Sequence, residues 1–311
     1  MHPRLYLDAT RIAQLRQAIQ TTHAPMWKEL RQWADRAVKR GAPGYRERDI
    51  SSGDEQLWQR DVGNAMPVLA TAWVLSGDRQ YLGAAREWAL ASCGYRTWGL
   101  GRIDGMDLAA GHQLYGLGLV YDWLKFMDLA RSRLGVDLYT GQWWRNTARY
   151  AQCLALPRQA WTRDNSIVSI ADCPRSHWYG PDYLLCALAR EFRDGYAQWL
   201  AQQVEDAGVA APQAPWLNLL WFDPGQPAAP PSSLPTLRHF EDMGIVSARS
   251  GWSGDESLVV FKCGPFLGHK AVQEFTYDPG GGHVHPDANH FVLFGAGDWL
   301  VRDDGYMTAH K

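Results

Sequence analysis

The residues best placed to do chemistry lie near the carboxyl end, in Gly280-Gly281-Gly282-His283-Val284-His285-Pro286-Asp287, with Asn289 and His290 close behind. Three consecutive glycines let the backbone approach a ligand closely, because no Cβ stands in the way. In an extended chain side chains alternate, so His283 and His285 project to one side. Imidazoles gathered with a carboxylate suit a divalent cation, or the transfer of a proton near neutral pH. A polar loop of solvated histidines is the plainer alternative for the same pattern.

The elements that must hold these residues change character along the chain. Asp8 is a plausible N-cap, followed by Ile12, Leu15 and Ile19 at helical spacing. The same period continues through Trp27, Leu30, Trp33 and Ala37, and through Met66, Leu69, Ala70 and Trp73. Gly77-Asp78 reads as a helix stop followed at once by a new cap, opening the run Tyr81, Leu82, Ala85, Trp88 and Ala89. Further helices are expected over 107–131, 143–156, 181–190 and 194–205. Helices joined by short turns suggest stacked helical hairpins.

Seven prolines fall between Pro212 and Pro235, which ends the helical run. Beyond them the apolar period becomes two, with strands expected over 244–249, 258–263, 272–277, 290–294 and 299–303. Gly295-Ala296-Gly297-Asp298 is a hairpin signal between the last two, and it sets Asp303 opposite His290. The expected organisation is therefore α+β: a helical domain over 1–210, a proline-rich linker over 211–235, and the start of an antiparallel β-domain over 236–311. Five strands would leave open edges, so the β-domain reads as unfinished.

Composition bounds the partners. The 311 residues are 46% hydrophobic and 21% charged, as in a soluble globular protein. A formal net charge of −2 argues against nucleic acid or an anionic membrane as partner. A polyanionic substrate would need a local basic patch. No apolar run approaches the length of a membrane-spanning helix. The start, Met1-His2-Pro3-Arg4-Leu5-Tyr6, lacks signal-peptide character. The expected location is cytoplasmic, or periplasmic or secreted if a signal was removed. The cysteines Cys93, Cys153, Cys173, Cys186 and Cys263 are odd in number and lack CxxC spacing, so they read as mostly buried thiols. Sixteen tryptophans suit stacking on sugars, but core packing is the better account of most of them.

Several stretches in one order resemble dermatan-sulfate epimerase and the heparinase II/III-like polysaccharide lyases. Asn165-Ser166-Ile167-Val168-Ser169-Ile170-Ala171-Asp172, then Trp178-Tyr179-Gly180-Pro181, are similar to the epimerase. So is Pro235-Thr236-Leu237-Arg238-His239-Phe240-Glu241-Asp242-Met243-Gly244. Gly282 to Asp287, continuing to Trp299-Leu300-Val301-Arg302-Asp303, resembles both groups. Asp107-Leu108 through Tyr121-Asp122-Trp123-Leu124 fits a helix of the same toroid.

The resemblance implies an incomplete α/α toroid followed by an antiparallel β-sandwich, with a uronate-containing polysaccharide bound between them. It implies removal of the uronate C5 proton, followed by β-elimination in a lyase or by return of the proton on the other face in an epimerase. His283 matches the family's active-site histidine, His285 a metal ligand and Asp303 the acidic ligand eighteen positions later; the match is preferred over the hairpin register that sets Asp303 opposite His290, and a kink at Pro286 would reconcile the two. The implied metal is divalent, zinc or manganese. The family's third ligand is a histidine further along, for which His310 is a weak stand-in. Trp178 and Tyr179 would line the sugar cleft or pack within the toroid. His112 and Gln113 would face the cleft, although a satisfied core histidine is the commoner outcome. Arg175 and His177 would meet substrate anions or form an exposed basic loop.

The chain also departs from this pattern. It lacks the family's Asn-His pair and the Glu-Gly motif leading to a catalytic tyrosine. Tyr121-Asp122-Trp123-Leu124 runs straight into Lys125-Phe126-Met127-Asp128-Leu129, where relatives carry that block. Tyr115, Tyr277 and Tyr306 sit in no matching motif. The expectation is a catalytic segment missing at 124–125, together with the rest of the β-domain after Lys311. Three functions follow in order: a uronate polysaccharide lyase, a uronate C5-epimerase, and a non-catalytic sugar-binding remnant.

Overall fold

A computed structural model describes residues 7, 9–46, 58–99, 108–122, 137–170, 182–210, 215–265, 268–275 and 288–303. Helices come first: α1 (Ala9–Ala18), α2 (Ala24–Arg40), α3 (Trp58–Ser76), α4 (Arg79–Cys93), α5 (Leu108–Asp122), α6 (Gln142–Leu154), α7 (Asp182–Phe192), α8 (Gly195–Asp206) and α9 (Pro215–Trp221). Strands follow: β1 (Leu237–Phe240), β2 (Ile245–Arg249), β3 (Leu258–Lys262), β4 (His290–Gly295) and β5 (Asp298–Val301), with a one-turn helix α10 (Ala271–Glu274) between β3 and β4. The sheet order is β1-β2-β3-β4-β5 and every neighbouring pair is antiparallel. This is an α+β protein.

Two compact units divide the chain: Met1–Thr140 with Pro212–Phe222, and Gly141–Ala211 with Asp223–Lys311. In the first, α3 buries Val62, Met66, Leu69, Ala70, Ala72 and Leu75. Pro67 lies within α3 and lacks the amide that would bond the Gly63 carbonyl. At that point α5 passes so closely that a Cβ on Gly116 would overlap the Gly63 carbonyl, and one on Gly63 would overlap that of His112. The stop signal at Gly77-Asp78 is real. Gly77 takes φ +74, and the Asp78 carboxylate accepts the Gln80 amide at 3.0 Å to cap α4.

The second unit packs α6, α7 and α8 with the sheet. One sheet face, carrying Ile245, Ser247, Arg249, Leu258, Val260, Lys262, Val292 and Phe294, is buried. It is tied to the end of α6 and the segment after it. The Ser247 hydroxyl donates to the Cys153 carbonyl at 2.8 Å, and the Trp299 indole N–H donates to Asn165 Oδ1 at 2.6 Å. The opposite face carries Val259, Phe261, Phe291 and Leu293, and both phenylalanines are exposed.

Three sequence-based expectations need correction. The strand expected at 272–277 begins instead as α10, because Gln273 N–H bonds the Lys270 carbonyl and Phe275 N–H the Ala271 carbonyl. The Asp242 carboxylate anchors that turn through the Lys270 amide at 2.9 Å. Strand β1 was not expected at all, since three of its four side chains are exposed and leave no apolar alternation to read. The stretch read as a linker holds α9, whose Trp216, Leu217, Leu219 and Leu220 are buried. Of the described cysteines, Cys153 and Cys186 are buried, but Cys93 and Cys263 are exposed.

Candidate functional site

The histidine-rich stretch enters the described structure at Ala288, and its last two members are in view. Asn289 sits in the left-handed region at φ +61, a conformation Asn tolerates better than most residues. Its side-chain oxygen accepts the Cys263 thiol at 3.1 Å, which ties the start of β4 to the end of β3. His290 follows as the first residue of β4, directly across from Lys262. Both belong to the face that Val260 and Val292 continue into the core.

Asp303 comes two residues after β5 and meets His290, with Oδ2 3.2 Å from the imidazole Nε2. The hairpin register read from the turn at 295–298 anticipates this meeting, although a bulge between Leu293 and Phe294 shifts the ladder by one residue. The two side chains are 31% and 14% exposed, so the pair lies at the rim of the buried face. The distance is that of a contact, but the ring is not aligned for a hydrogen bond. Nε2 is buried with no hydrogen-bond partner among the described residues. Lys262, almost fully buried, turns its ammonium to the carbonyls of Pro265 at 3.2 Å and Met243 at 3.5 Å.

Of the residues singled out from sequence, His283, His285, Trp178, Tyr179, Arg175, His177 and His310 lie outside the described residues, as does the junction at 124–125. Among the described residues no group of three or more His, Cys, Asp or Glu converges as a metal site.

His112 and Gln113 lie on α5 in the first unit. The His112 Nδ1 is 2.8 Å from Asn64 Oδ1 on α3, so Nδ1 carries the proton that bridges the two helices. Burial, reinforced by the Arg60 charge and opposed by Asp61, holds its pKa below the ordinary histidine value. Gln113 is fully buried, and its Oε1 accepts the Ser92 hydroxyl of α4 at 2.7 Å. Gln113 therefore joins α4 to α5 and presents no atom to solvent.

Sequence reasoning missed one cluster altogether. Arg249 and Glu256 form a buried ion pair at 2.8 Å, with side chains 2% and 3% exposed. The second guanidinium nitrogen donates to the carbonyls of Cys153 at 3.0 Å and Ala155 at 2.9 Å, closing the end of α6. The guanidinium lies 3.8 Å from the Trp252 ring centroid. Burial lowers the Arg249 pKa and raises that of the Cys153 thiol, each opposed by its charged neighbours. Both terminal guanidinium nitrogens and both Glu256 oxygens have protein partners, which marks the cluster as a structural anchor. Compared with the models of known protein families, the chain matches none.

Proposed function

We propose that this chain belongs to a uronate polysaccharide lyase that removes the C5 proton and expels the C4 substituent by β-elimination. What carries the reading is the order of motifs from Asn165 to Asp303, of which Gly282 to Asp287 with Asp303 is the most specific. The helices-then-antiparallel-sheet order agrees with the proposed architecture, an incomplete α/α toroid followed by a β-sandwich.

In this mechanism the C5 proton becomes acidic only when charge developing on the uronate carboxylate is stabilised. His283 stands beside the uronate and takes part in proton transfer, for which an imidazole is suited near neutral pH. Trp178 and Tyr179 offer aromatic faces to the sugar rings. His285 and Asp303 would hold the divalent cation, zinc or manganese. When bound, that cation supplies positive charge that organises the site. The substrate is an anionic uronate polysaccharide or oligosaccharide.

A C5-epimerase is the second reading, favoured by the likeness of 165–181 and 235–244 to dermatan-sulfate epimerase. A non-catalytic sugar-binding remnant is the third, favoured by the missing Asn-His and Glu-Gly-tyrosine motifs. Incubation with a panel of uronate polymers separates them. Elimination creates a C4–C5 double bond that absorbs near the ultraviolet edge. Epimerisation creates none, but exchanges the C5 hydrogen with deuterium from solvent. Binding without either signal would leave the remnant, and binding to no uronate polymer would overturn all three.

A further inference from the structure

We infer that Arg145, Arg149 and Arg238 form a strip on the surface of the second unit that binds an acidic saccharide chain. The ligand's identity rests on the uronate reading above, whereas the strip is assigned from its own geometry. Arg145 and Arg149 stand one turn apart on α6, so their side chains share a flank, while Thr147, Ala148 and Ala151 turn inward. Each guanidinium lies over a ring of a neighbouring helix. Arg145 is 5.1 Å from the centroid of Phe192 at the end of α7, and Arg149 is 4.9 Å from that of Tyr196 in the first turn of α8. The hydroxyls of Tyr196 and Ser233 share a hydrogen bond of 2.7 Å, which ties this ring to the segment before β1. In β1, Arg238 and Phe240 are two residues apart and so project to one side. Phe240 meets Tyr150 of α6 edge to face at 5.1 Å, and the Arg238 guanidinium lies 6.0 Å from the Phe240 centroid. Burial raises the pKa of the Cys153 thiol, and Arg249, Arg149 and Arg238 oppose it, so the charges of Arg149 and Arg238 converge on the end of α6.

A guanidinium stacked on a ring spends its flat face there and keeps its in-plane N–H donors for another partner. Among the described residues no carboxylate pairs with any of these three arginines, and none of their N–H groups is hydrogen-bonded. The nearest acid in sequence to Tyr196, Asp194, turns its carboxylate to the Tyr196 and Ala197 amides and caps α8 instead. The donors left over match the fork geometry of a carboxylate. Two such forks about 6 Å apart along the helix axis suit successive acidic groups of one chain better than a single small anion. At the amino end of α6, Trp143 is 62% exposed and is braced edge-on by Trp144 at 4.4 Å. A held indole with an open face, next to unpaired guanidiniums, offers stacking for a sugar ring and charge for its carboxylates. A polynucleotide is disfavoured, because the chain's net charge of −2 supplies no general attraction for it.

The test is calorimetric titration of the full chain with a hyaluronan hexasaccharide, whose only charges are carboxylates, against neutral cellohexaose and a thymidine oligonucleotide. Wild type should bind the first and neither of the others. Arg145→Gln and Arg149→Gln should each weaken binding about tenfold, the worth of one charge-assisted hydrogen bond. Arg149→Lys should recover part of that loss, since it keeps the charge but not the fork. Trp143→Ala should weaken binding without altering its dependence on salt. Arg238→Gln, at an exposed position of an edge strand, is the second variant should a change on α6 disturb folding, which circular dichroism checks. Arg86→Gln, exposed on α4 of the first unit, should change nothing. If the arginine variants of the strip bind the hexasaccharide like wild type, or if Arg86→Gln weakens it as much, the strip is overturned while the uronate reading stands. Tighter binding of the oligonucleotide than of the hexasaccharide would overturn the choice of ligand. If wild type does not bind the hexasaccharide the strip falls, and the uronate reading falls with it only if every polymer of the panel also fails.

Discussion

Removing the carboxylate that faces Arg249 should be among the most damaging single changes in the second unit. Glu256 is 3% exposed in its side chain and takes two hydrogen bonds, from Arg249 Nη1 at 2.8 Å and from the Gly254 amide at 2.6 Å. Glu256→Ala strips the partner from a guanidinium that cannot shed its proton, which for a buried pair costs about 3–5 kcal/mol. That is a large share of the roughly 5–15 kcal/mol holding a domain together. Glu256→Gln keeps an oxygen for Arg249 but loses the charge, so its cost should fall near 1.5–3 kcal/mol.

The pair removed together should behave differently from either half. In Arg249→Met with Glu256→Leu no unpaired charge remains, and such replacements are often neutral in themselves. The Cys153 carbonyl still holds the Ser247 hydroxyl. The Ala155 carbonyl, which accepts from Arg249 at 2.9 Å, loses that donor, at a cost of about 1–3 kcal/mol. The double variant should therefore be more stable than Glu256→Ala alone. Urea denaturation followed by circular dichroism measures the order, and hydrogen exchange in β2 and β3 confines it to this unit. A cost below about 1 kcal/mol for Glu256→Ala, or a double variant no better than that single, would refute the reasoning.

Two further outcomes are expected in the first unit. Gly63→Ala should cost more than about 2 kcal/mol by denaturation, because the new methyl meets the His112 backbone, which cannot swing aside as a side chain would. His112 should titrate below the ordinary 6.5 by proton NMR. Between that depressed value and about 6.5 the unfolded chain binds the extra proton, so stability falls as pH drops through the window and is fully present above it. His112→Gln should flatten that slope.

The helices were legible because each buries one stripe, so apolar residues recur at 3.6-residue spacing with caps between them. Asp194, expected to open a helix, accepts the Tyr196 and Ala197 amides. Strands β2 and β3 were legible for the matching reason, a strict alternation of buried and less buried positions. Helix α9 was hidden by its prolines, although Pro215 occupies the one position where a helix welcomes proline, its first turn. The 272–277 stretch misled because Val272 and Glu274 alternate over too few residues to outweigh a hydrogen-bonded turn. Helices 142–206 group with the sheet, and no change of hydrophobic period marks that, because grouping is decided by contacts between distant segments.

The meeting of Asp303 with His290 follows from counting along the hairpin, since a turn fixes which residues lie opposite each other, although the preferred family match paired Asp303 with His285. What keeps them there does not follow from counting. Strand β5 is an edge strand whose four residues are partly or fully exposed, so its own burial holds it weakly. The Trp299 indole reaches Asn165 at 2.6 Å, and its ring meets Phe294 edge to face at 5.4 Å. The Asn165 bond pins β5 to the segment following α6, and Arg249 and Ser247 hold the last carbonyls of α6 and the first of that segment, at Cys153 and Ala155. Asn165 and Asp303 stand far apart in sequence, and an alternating pattern carries no information about such a link. The position of the carboxylate is thus set by a tryptophan and an asparagine that do no chemistry themselves.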